Sequence, residues 1–321
     1  MDITVIGCGR WGSLITWYLN HIGHRVTLYG RAASPRMQSF LATRQNDLLT
    51  LPASVTLSTD LTAALNSAET VIISIGSQNL RSLLGQPELH ALRERTVVLC
   101  MKGLEMGTGA RLSQIASACL HPSNAVAVWL GPGHVQEFYR GIPNCMVIDS
   151  ENDAVKRRLV QSFSSDLIRF YYGGDMIGNE VGAAAKNVVG IAAGFLDGFE
   201  MGSLKGALMS RGTREVARLI KAMGGSELSA YGLCHLGDYE ATVFSPYSHN
   251  RQFGEAFVRG QDYHQLAEGY YTVKALMLLG KKYGVELPIC KAVHDILYER
   301  AVPKDVLAGL LRRGLTEEFY D

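Results

Sequence analysis

Ile3-Thr4-Val5-Ile6-Gly7-Cys8-Gly9-Arg10-Trp11-Gly12 decides the fold of the N-terminal half. The first four residues are short, apolar or β-branched, and read as a buried strand. Glycines at 7, 9 and 12 follow without a spacer, a helical pattern runs from Ser13 to Ile22 and stops at Gly23, and a second strand reads Arg25-Val26-Thr27-Leu28-Tyr29. A lone GxGxxG is a weak signal, but one bracketed by strand, helix and strand is the dinucleotide fingerprint in its proper context. Gly7 allows the tight turn, Gly9 lets a pyrophosphate approach the backbone, and Gly12 packs the helix on the sheet. The helix N-terminus adds amide donors and a positive dipole, and Arg10 and Trp11 belong to the same cofactor-contacting loop. The competing reading is a glycine-rich turn that binds nothing.

The fingerprint ordinarily carries Asp or Glu at the end of the second strand, to hold a ribose hydroxyl. Here that position reads Tyr29-Gly30-Arg31. Arg31, together with Arg36, suits a 2′-phosphate, which favours NADP over NAD; a solvated arginine is the plainer alternative. Outward from this unit, Thr70–Ile75, Thr96–Cys100 and Ala125–Leu130 are continuous apolar runs, as strands covered on both faces require. Helical stretches near 61–68, 79–84 and 111–118 separate them, and weaker strands near 144–149 and 168–172 complete a doubly wound, Rossmann-type α/β sheet. Ligands of such sheets bind beyond the carboxyl ends of the strands. Gly76-Ser77-Gln78, Lys102-Gly103-Leu104-Glu105 and Gly131-Pro132-Gly133-His134 occupy those ends, so Lys102 is expected at the cofactor crevice, against the alternative of an exposed loop lysine.

Gly173-Gly174 marks a boundary, giving a dinucleotide-binding domain over 1–175 and an all-helical domain over 176–321. Helices are expected at 179–201, 206–223, 265–283, 289–298 and 303–311. Gly178, Gly182, Lys186, Gly190, Gly194, Gly198 and Gly202 recur at every fourth position through the first of these. Each interior glycine costs a helix roughly 1 kcal/mol relative to alanine, so the stripe needs a compensating close approach by backbone or ligand. At 3.6 residues per turn the stripe drifts by about 40° per step, so only neighbouring members share a face. Into it the chain sets the ammonium of Lys186 and the amide of Asn187. The plain alternative is helix packing with Lys186 reaching out to water. A polar segment, Gly237-Asp238-Tyr239-Glu240-Ala241-Thr242 and Ser245–Arg251, reads as a loop between two helices, either solvated or functional.

The chain has 321 residues, 47% hydrophobic and 19% charged, with net charge +1. That balance offers nothing to nucleic acid or a membrane surface, and an anionic small molecule would need a local cluster of cations. Cys8, Cys100, Cys119, Cys145, Cys234 and Cys290 show no metal-ligand spacing, so no metal is expected and reduced cytosolic thiols are the simplest account. With no signal-like N-terminus and no apolar run long enough for a membrane span, the expected location is the cytoplasm.

These motifs together resemble the bacterial-type NAD(P)-dependent glycerol-3-phosphate dehydrogenases over nearly the whole chain. The resemblance rests on Gly7–Gly12 with Trp11, on Lys102-Gly103, on Gly131-Pro132 with Glu137, and on Glu180–Gly194 running into Asp197-Gly198. Arg211-Gly212, Gly237-Asp238, Thr242, Asn250-Arg251, Glu268-Gly269 and Gly284–Ile289 follow in family order. It implies reduction of dihydroxyacetone phosphate to sn-glycerol 3-phosphate with hydride from a nicotinamide. Lys186 then donates the proton and stabilises the oxyanion, Lys102 stands beside the substrate, and Asp238 orients the reactive lysine. Asn187, Thr242, Asn250, Arg251, His249 and Gly131 fall to the substrate, and Glu268 to the cofactor. A homodimer is compatible with the resemblance, though no sequence feature demands one.

The chain departs from the family pattern at several points. His249 stands where the family usually has a phosphate-clamping arginine, Ser203 where asparagine is common, and Gly76 and Gly133 where proline and a polar residue are usual. A guanidinium is a permanent bidentate clamp and an imidazole is not. Two alternatives therefore stay open: a related two-domain dehydrogenase acting on another hydroxy acid or phosphorylated carbonyl, and a non-enzymatic nicotinamide-binding protein. The presence of Lys102, Lys186 and Asp238 together weighs against the second.

Overall fold

The computed structural model describes residues 1–66, 68–312, 314, 317 and 318. The chain forms two compact units, one of residues 1–101 and 112–176, the other of residues 102–111 and 177–321.

The first unit is an eight-stranded sheet in the order β3-β2-β1-β4-β5-β6-β7-β8. Its strands are β1 (Asp2–Ile6), β2 (Arg25–Tyr29), β3 (Thr56–Ser58), β4 (Thr70–Ile73), β5 (Thr96–Leu99), β6 (Ala125–Leu130), β7 (Asn144–Ser150) and β8 (Ile168–Tyr172). Between them run α1 (Arg10–His21), α2 (Pro35–Thr43), α3 (Leu61–Asn66), α4 (Leu80–Leu84), α5 (Pro87–His90), α6 (Leu112–Cys119), α7 (Val135–Tyr139) and α8 (Asp153–Phe163). The fully buried β4 and β5 are the continuous apolar runs expected of interior strands. Strand order reverses about β1, which pairs in parallel with both β2 and β4 and so creates the crevice at its carboxyl end.

Two features of the sheet depart from expectation. β3 was not foreseen: its three residues are too few for any periodicity, and pairing with β2 alone makes it a strand. The sheet is also mixed, because β7 runs antiparallel to β6.

In the second unit α9 (Met176–Gly198) is the central element, buried without interruption from Gly178 to Leu196. Around it lie α10 (Lys205–Ala222), α11 (His249–Val258), α12 (Glu268–Tyr283), α13 (Pro288–Tyr298) and α14 (Pro303–Leu311). Val181, Val188, Phe195, Val216, Ile220, Leu276 and Val293 belong to its apolar core.

The glycine stripe explains how α11 packs. A Cβ on Gly194 would overlap the Arg251 carbonyl and lie 2.7 Å from the Glu255 amide, and one on Gly198 would overlap the Val258 side chain. Gly254 answers from α11, where a Cβ would overlap the Ile191 carbonyl. Two backbones thus meet with no side chain between them. The segment read as a loop over 237–251 is helical in part: a 3-10 turn at Leu236–Asp238 and a π turn at Glu240–Phe244 precede a true turn at 245–248, after which α11 starts. Only Gly254 and Ala256 of α11 are buried, so no apolar stripe announced it. Its start was marked by Ser248, whose Oγ accepts the Arg251 amide at 3.3 Å as an N-cap.

Two substitutions separate packing from propensity. Gly194→Ala should destabilise the protein by about 2–3 kcal/mol through overpacking against α11. Gly206→Ala, in α10 with nothing within 4 Å of the added carbon, should stabilise it by about 0.5–1 kcal/mol. Urea unfolding of the two variants beside the parent checks both signs.

Candidate active site

Lys102 does not fold with the sheet whose strand precedes it. Residues 102–111 pack with the helical unit, where Leu104 is fully buried in the apolar core. The Arg111 guanidinium pairs with Glu180 of α9 at 2.5 Å, both side chains nearly dry, and Asn187 donates from Nδ2 to the Lys102 carbonyl at 2.8 Å. A Cβ on Gly109, which sits at φ +70, would stand 3.1 Å from Leu279. The segment is thus pinned at both ends to α9.

Asp238 gathers the charges. Its Oδ2 lies 2.8 Å from Lys102 Nζ and 2.9 Å from Lys186 Nζ, with the carboxylate side chain only 1% exposed. Lys186 Nζ also donates to Thr242 Oγ1 at 2.7 Å, and that hydroxyl passes its own hydrogen to the Asp238 carbonyl at 2.7 Å. Thr242 therefore acts toward the lysine as an acceptor. It reaches Lys186 because Gly190, one turn along the stripe, makes room: a Cβ there would be 2.8 Å from Thr242 Cγ2. Burial pulls the Lys186 ammonium down to about 8; Asp238 opposes this and Lys102 reinforces it. Two cations and one anion in a nearly dry setting leave a net positive charge, suited to an anionic or oxyanionic ligand.

A second chain of amides starts from the same helix. Asn250 Nδ2 donates to Asn187 Oδ1 at 3.1 Å, and Asn250 Oδ1 accepts the Gly269 amide at 2.9 Å. Asn187 and Asn250 are thereby locked in orientation. His249 Nδ1 lies 2.7 Å from the Tyr263 hydroxyl, which donates to Gln252 Oε1 at 3.1 Å. With the phenol hydrogen on Gln252, Nδ1 must be the donor. Arg251 is engaged elsewhere: it reaches Asp197 at 2.7 Å, Glu255 at 3.3 Å and the Ser245 carbonyl at 3.1 Å. Lys205 holds the same Asp197 carboxylate at 2.7 Å, so these charges fasten α11 and α10 to the end of α9. Glu268 is the first residue of α12.

The remaining candidates lie in the sheet unit. Gly7 has φ +116 and a Cβ on it would overlap the Ser74 carbonyl at the end of β4; one on Gly12 would overlap the Gly7 carbonyl. Both positions require glycine for the turn itself. Gly9 has only Arg36 Nη1 near its missing side chain, at 3.7 Å, and caps α1 without a side-chain acceptor. The first-turn amides of α1 and an adjacent guanidinium thus form a cradle that fits a pyrophosphate. Arg31 and Arg36 are both exposed in the segment after β2. Trp11 packs on Phe138 with ring centroids 6.1 Å apart. Gly131 ends β6 at φ +123, where a Cβ would lie 3.0 Å from Met146 Cα.

The helical unit therefore brings Lys102, Lys186, Asn187, Asp238, Thr242 and Asn250 into one connected set. Arg10 and the glycine-loop residues belong to the other unit. Sequence reasoning gave no role to Arg111 and Glu180, which fix the Lys102 segment, or to His235 and Tyr239; Glu180 and Tyr239 stood there only as members of longer motifs.

Residues 2–156 match the N-terminal domain, and residues 175–308 the C-terminal domain, of NAD-dependent glycerol-3-phosphate dehydrogenase. A glycerol-3-phosphate dehydrogenase [NAD(P)+] of Thermoanaerobacter sp. is 32% identical over 331 residues, covering 100% of this chain and 99% of its own. One from Streptomyces griseus is 34% identical over 327 residues, covering 98% and 97%. The crystal structure of glycerol-3-phosphate dehydrogenase from Coxiella burnetii superposes with a TM-score of 0.89 at 27% identity, covering 97% of this chain and 99% of that one. On both domains and across its full length, this chain belongs to the NAD-dependent glycerol-3-phosphate dehydrogenase family.

Proposed function

We propose that this protein catalyses the reversible NAD(P)H-dependent reduction of dihydroxyacetone phosphate to sn-glycerol 3-phosphate, the precursor for phospholipid synthesis. The observation that carries the reading is the carboxylate of Asp238 shared between the ammonium groups of Lys102 and Lys186. The nicotinamide cofactor supplies the hydride, and Gly7, Gly9, Arg10, Trp11, Gly12 and Glu268 are the residues proposed to hold it. Arg36 beside Gly9 and the exposed Arg31 after β2, with no acid at the end of that strand, favour NADP.

As the ketone carbon accepts hydride, its oxygen gains negative charge and needs a proton. Asp238 and Thr242 take two of the three Lys186 hydrogens, and the third is proposed to go to the substrate oxygen. Lys102 supports the same developing charge, worth most where water is excluded. In the reverse direction neutral Lys186 receives the alcohol proton. Asn187 and Asn250, their amides locked in orientation, orient the substrate through their remaining polar positions, with His249 toward the phosphate end. Arg251 is proposed to act through α11 alone. The reading carries with it a cytoplasmic location and a homodimer; among the described residues no helix is long and apolar enough to cross a membrane. A second reading, reduction of a different phosphorylated carbonyl, is favoured by His249 in place of arginine.

Purified protein should oxidise NADPH, and NADH more slowly, with dihydroxyacetone phosphate; Lys186→Ala should lower kcat by about 10³-fold or more while cofactor binding persists. Absence of turnover alongside intact cofactor binding would transfer the assignment to the second reading. Because the reductive reaction needs Lys186 protonated, its kcat should fall as pH rises through about 8, while the oxidative kcat rises over the same interval. Initial rates in both directions from pH 6 to 10 check this. His249→Arg should lower the KM for dihydroxyacetone phosphate by about 3–10-fold at pH 8, where a guanidinium remains charged and an ordinary imidazole does not.

A further inference from the structure

We propose that His235 is a positioning residue for this reaction, holding the turn that carries Asp238 against the turn of α9 that carries Lys186. The inference rests on the reading that Lys186 and Asp238 perform the proton chemistry.

His235 is fully buried and makes two polar contacts through its ring. Nδ1 lies 2.8 Å from the Gly182 carbonyl, and Nε2 lies 2.7 Å from the Tyr239 hydroxyl. A carbonyl only accepts, so Nδ1 carries the hydrogen; Nε2 is then the acceptor and Tyr239 the donor. The ring is neutral, since burial drives the imidazolium down to about 4, and Lys186 pushes in the same direction while Asp238 opposes it. Tyr239 is itself fully buried, its ring edge-on to the imidazole at 4.9 Å.

The contacts close a loop around the reactive groups. Gly182 precedes Lys186 by one turn, so its carbonyl is the one that accepts the Lys186 amide within the helix. The same carbonyl takes the His235 hydrogen. From His235 the backbone carbonyl accepts the Asp238 amide at 3.0 Å, and the Asp238 carboxylate returns to Lys186 Nζ at 2.9 Å. A glycine at 182 is what admits the ring, because a Cβ there would stand 3.0 Å from His235 Cβ. This assigns a use to a stripe glycine that does not face α11, and to a buried histidine that the proton chemistry itself does not employ.

The test compares His235→Phe, His235→Asn and Tyr239→Phe with the parent enzyme, each checked for folding by thermal melting. Two quantities are read: kcat and KM for dihydroxyacetone phosphate, and the Lys186 titration by NMR of enzyme carrying 13C at the lysine Cε, assigned with Lys186→Arg. His235→Phe keeps a ring but loses both polar contacts. It should lower kcat by about 10–100-fold with KM nearly unchanged, the range found when groups supporting a reactive residue are removed. It should also lower the Lys186 midpoint, because a displaced Asp238 no longer supports the ammonium. His235→Asn, whose amide reproduces the Nδ1 donor, should recover most of the loss, and Tyr239→Phe should show a smaller loss of the same kind. A folded His235→Phe with unchanged kcat and unchanged Lys186 midpoint overturns the proposal. If that variant does not fold, Tyr239→Phe, which deletes one oxygen, decides by the same criteria. If the parent enzyme does not reduce dihydroxyacetone phosphate, the substrate assignment falls while the Lys186 titration still decides the role of His235.

Discussion

One buried carboxylate answering a buried and a half-buried ammonium group is the constraint around which the helical unit is organised. An isolated charge taken out of water is costly, and removing one member of a buried pair typically destabilises by about 3–5 kcal/mol. Here Asp238 is almost fully enclosed while Lys186 and Lys102 both bond to the same oxygen. Such a cluster persists only if its members are delivered to within bonding distance by elements that cannot drift. The three residues come from three different places in the chain: a segment leaving the sheet, the central helix, and a short 3-10 turn. Each has its own fastening: Arg111–Glu180 and Asn187 for the first, complete burial for the second, and the contacts of His235 and Thr242 for the third.

The glycine stripe is the structural means to that end. A helix of alanine and leucine would be more stable in isolation, yet it could not admit Thr242, His235 and the backbone of α11 at the observed distances. Where neighbours press in, at Gly190, Gly194 and Gly198, a side chain would collide, and at Gly182 it would crowd His235; at Gly202 there is nothing within 4 Å and no such demand. The stripe is therefore functional over part of its length. The same closeness keeps water from Lys186, which lowers its proton affinity into the range where transfer in either direction is feasible.

The glycine loop of the sheet unit was legible because its requirements are local: a positive φ at Gly7, a close carbonyl at Gly12 and the first-turn amides of a helix depend on nearby residues. Lys186 stood out for a comparable reason, as a lone cation in an apolar helix. Less legible were α11 and the turns before it, because they are held by polar contacts and by a partner's glycines rather than by their own apolar pattern. Arg251 illustrates the same limit: nothing local in the sequence shows that its guanidinium pairs with Asp197 and Glu255.

The family resemblance supplied the proposed roles of Lys102, Lys186 and Asp238; from residue order alone came the two-part architecture, the glycine loop, the central helix and the lone cation within it. These follow from periodicity, from glycine's backbone freedom and from the scarcity of buried cations, all properties of short stretches. Tertiary structure alone decided that residues 102–111 leave the sheet to join the helices, that Arg251 pairs with Asp197 and Glu255, and that His235 joins the Asp238 turn to α9. The reason is physical: hydrogen bonds and ion pairs between residues 50 to 140 positions apart leave no periodic trace in a sequence, and only the folded distances reveal which buried polar groups satisfy one another.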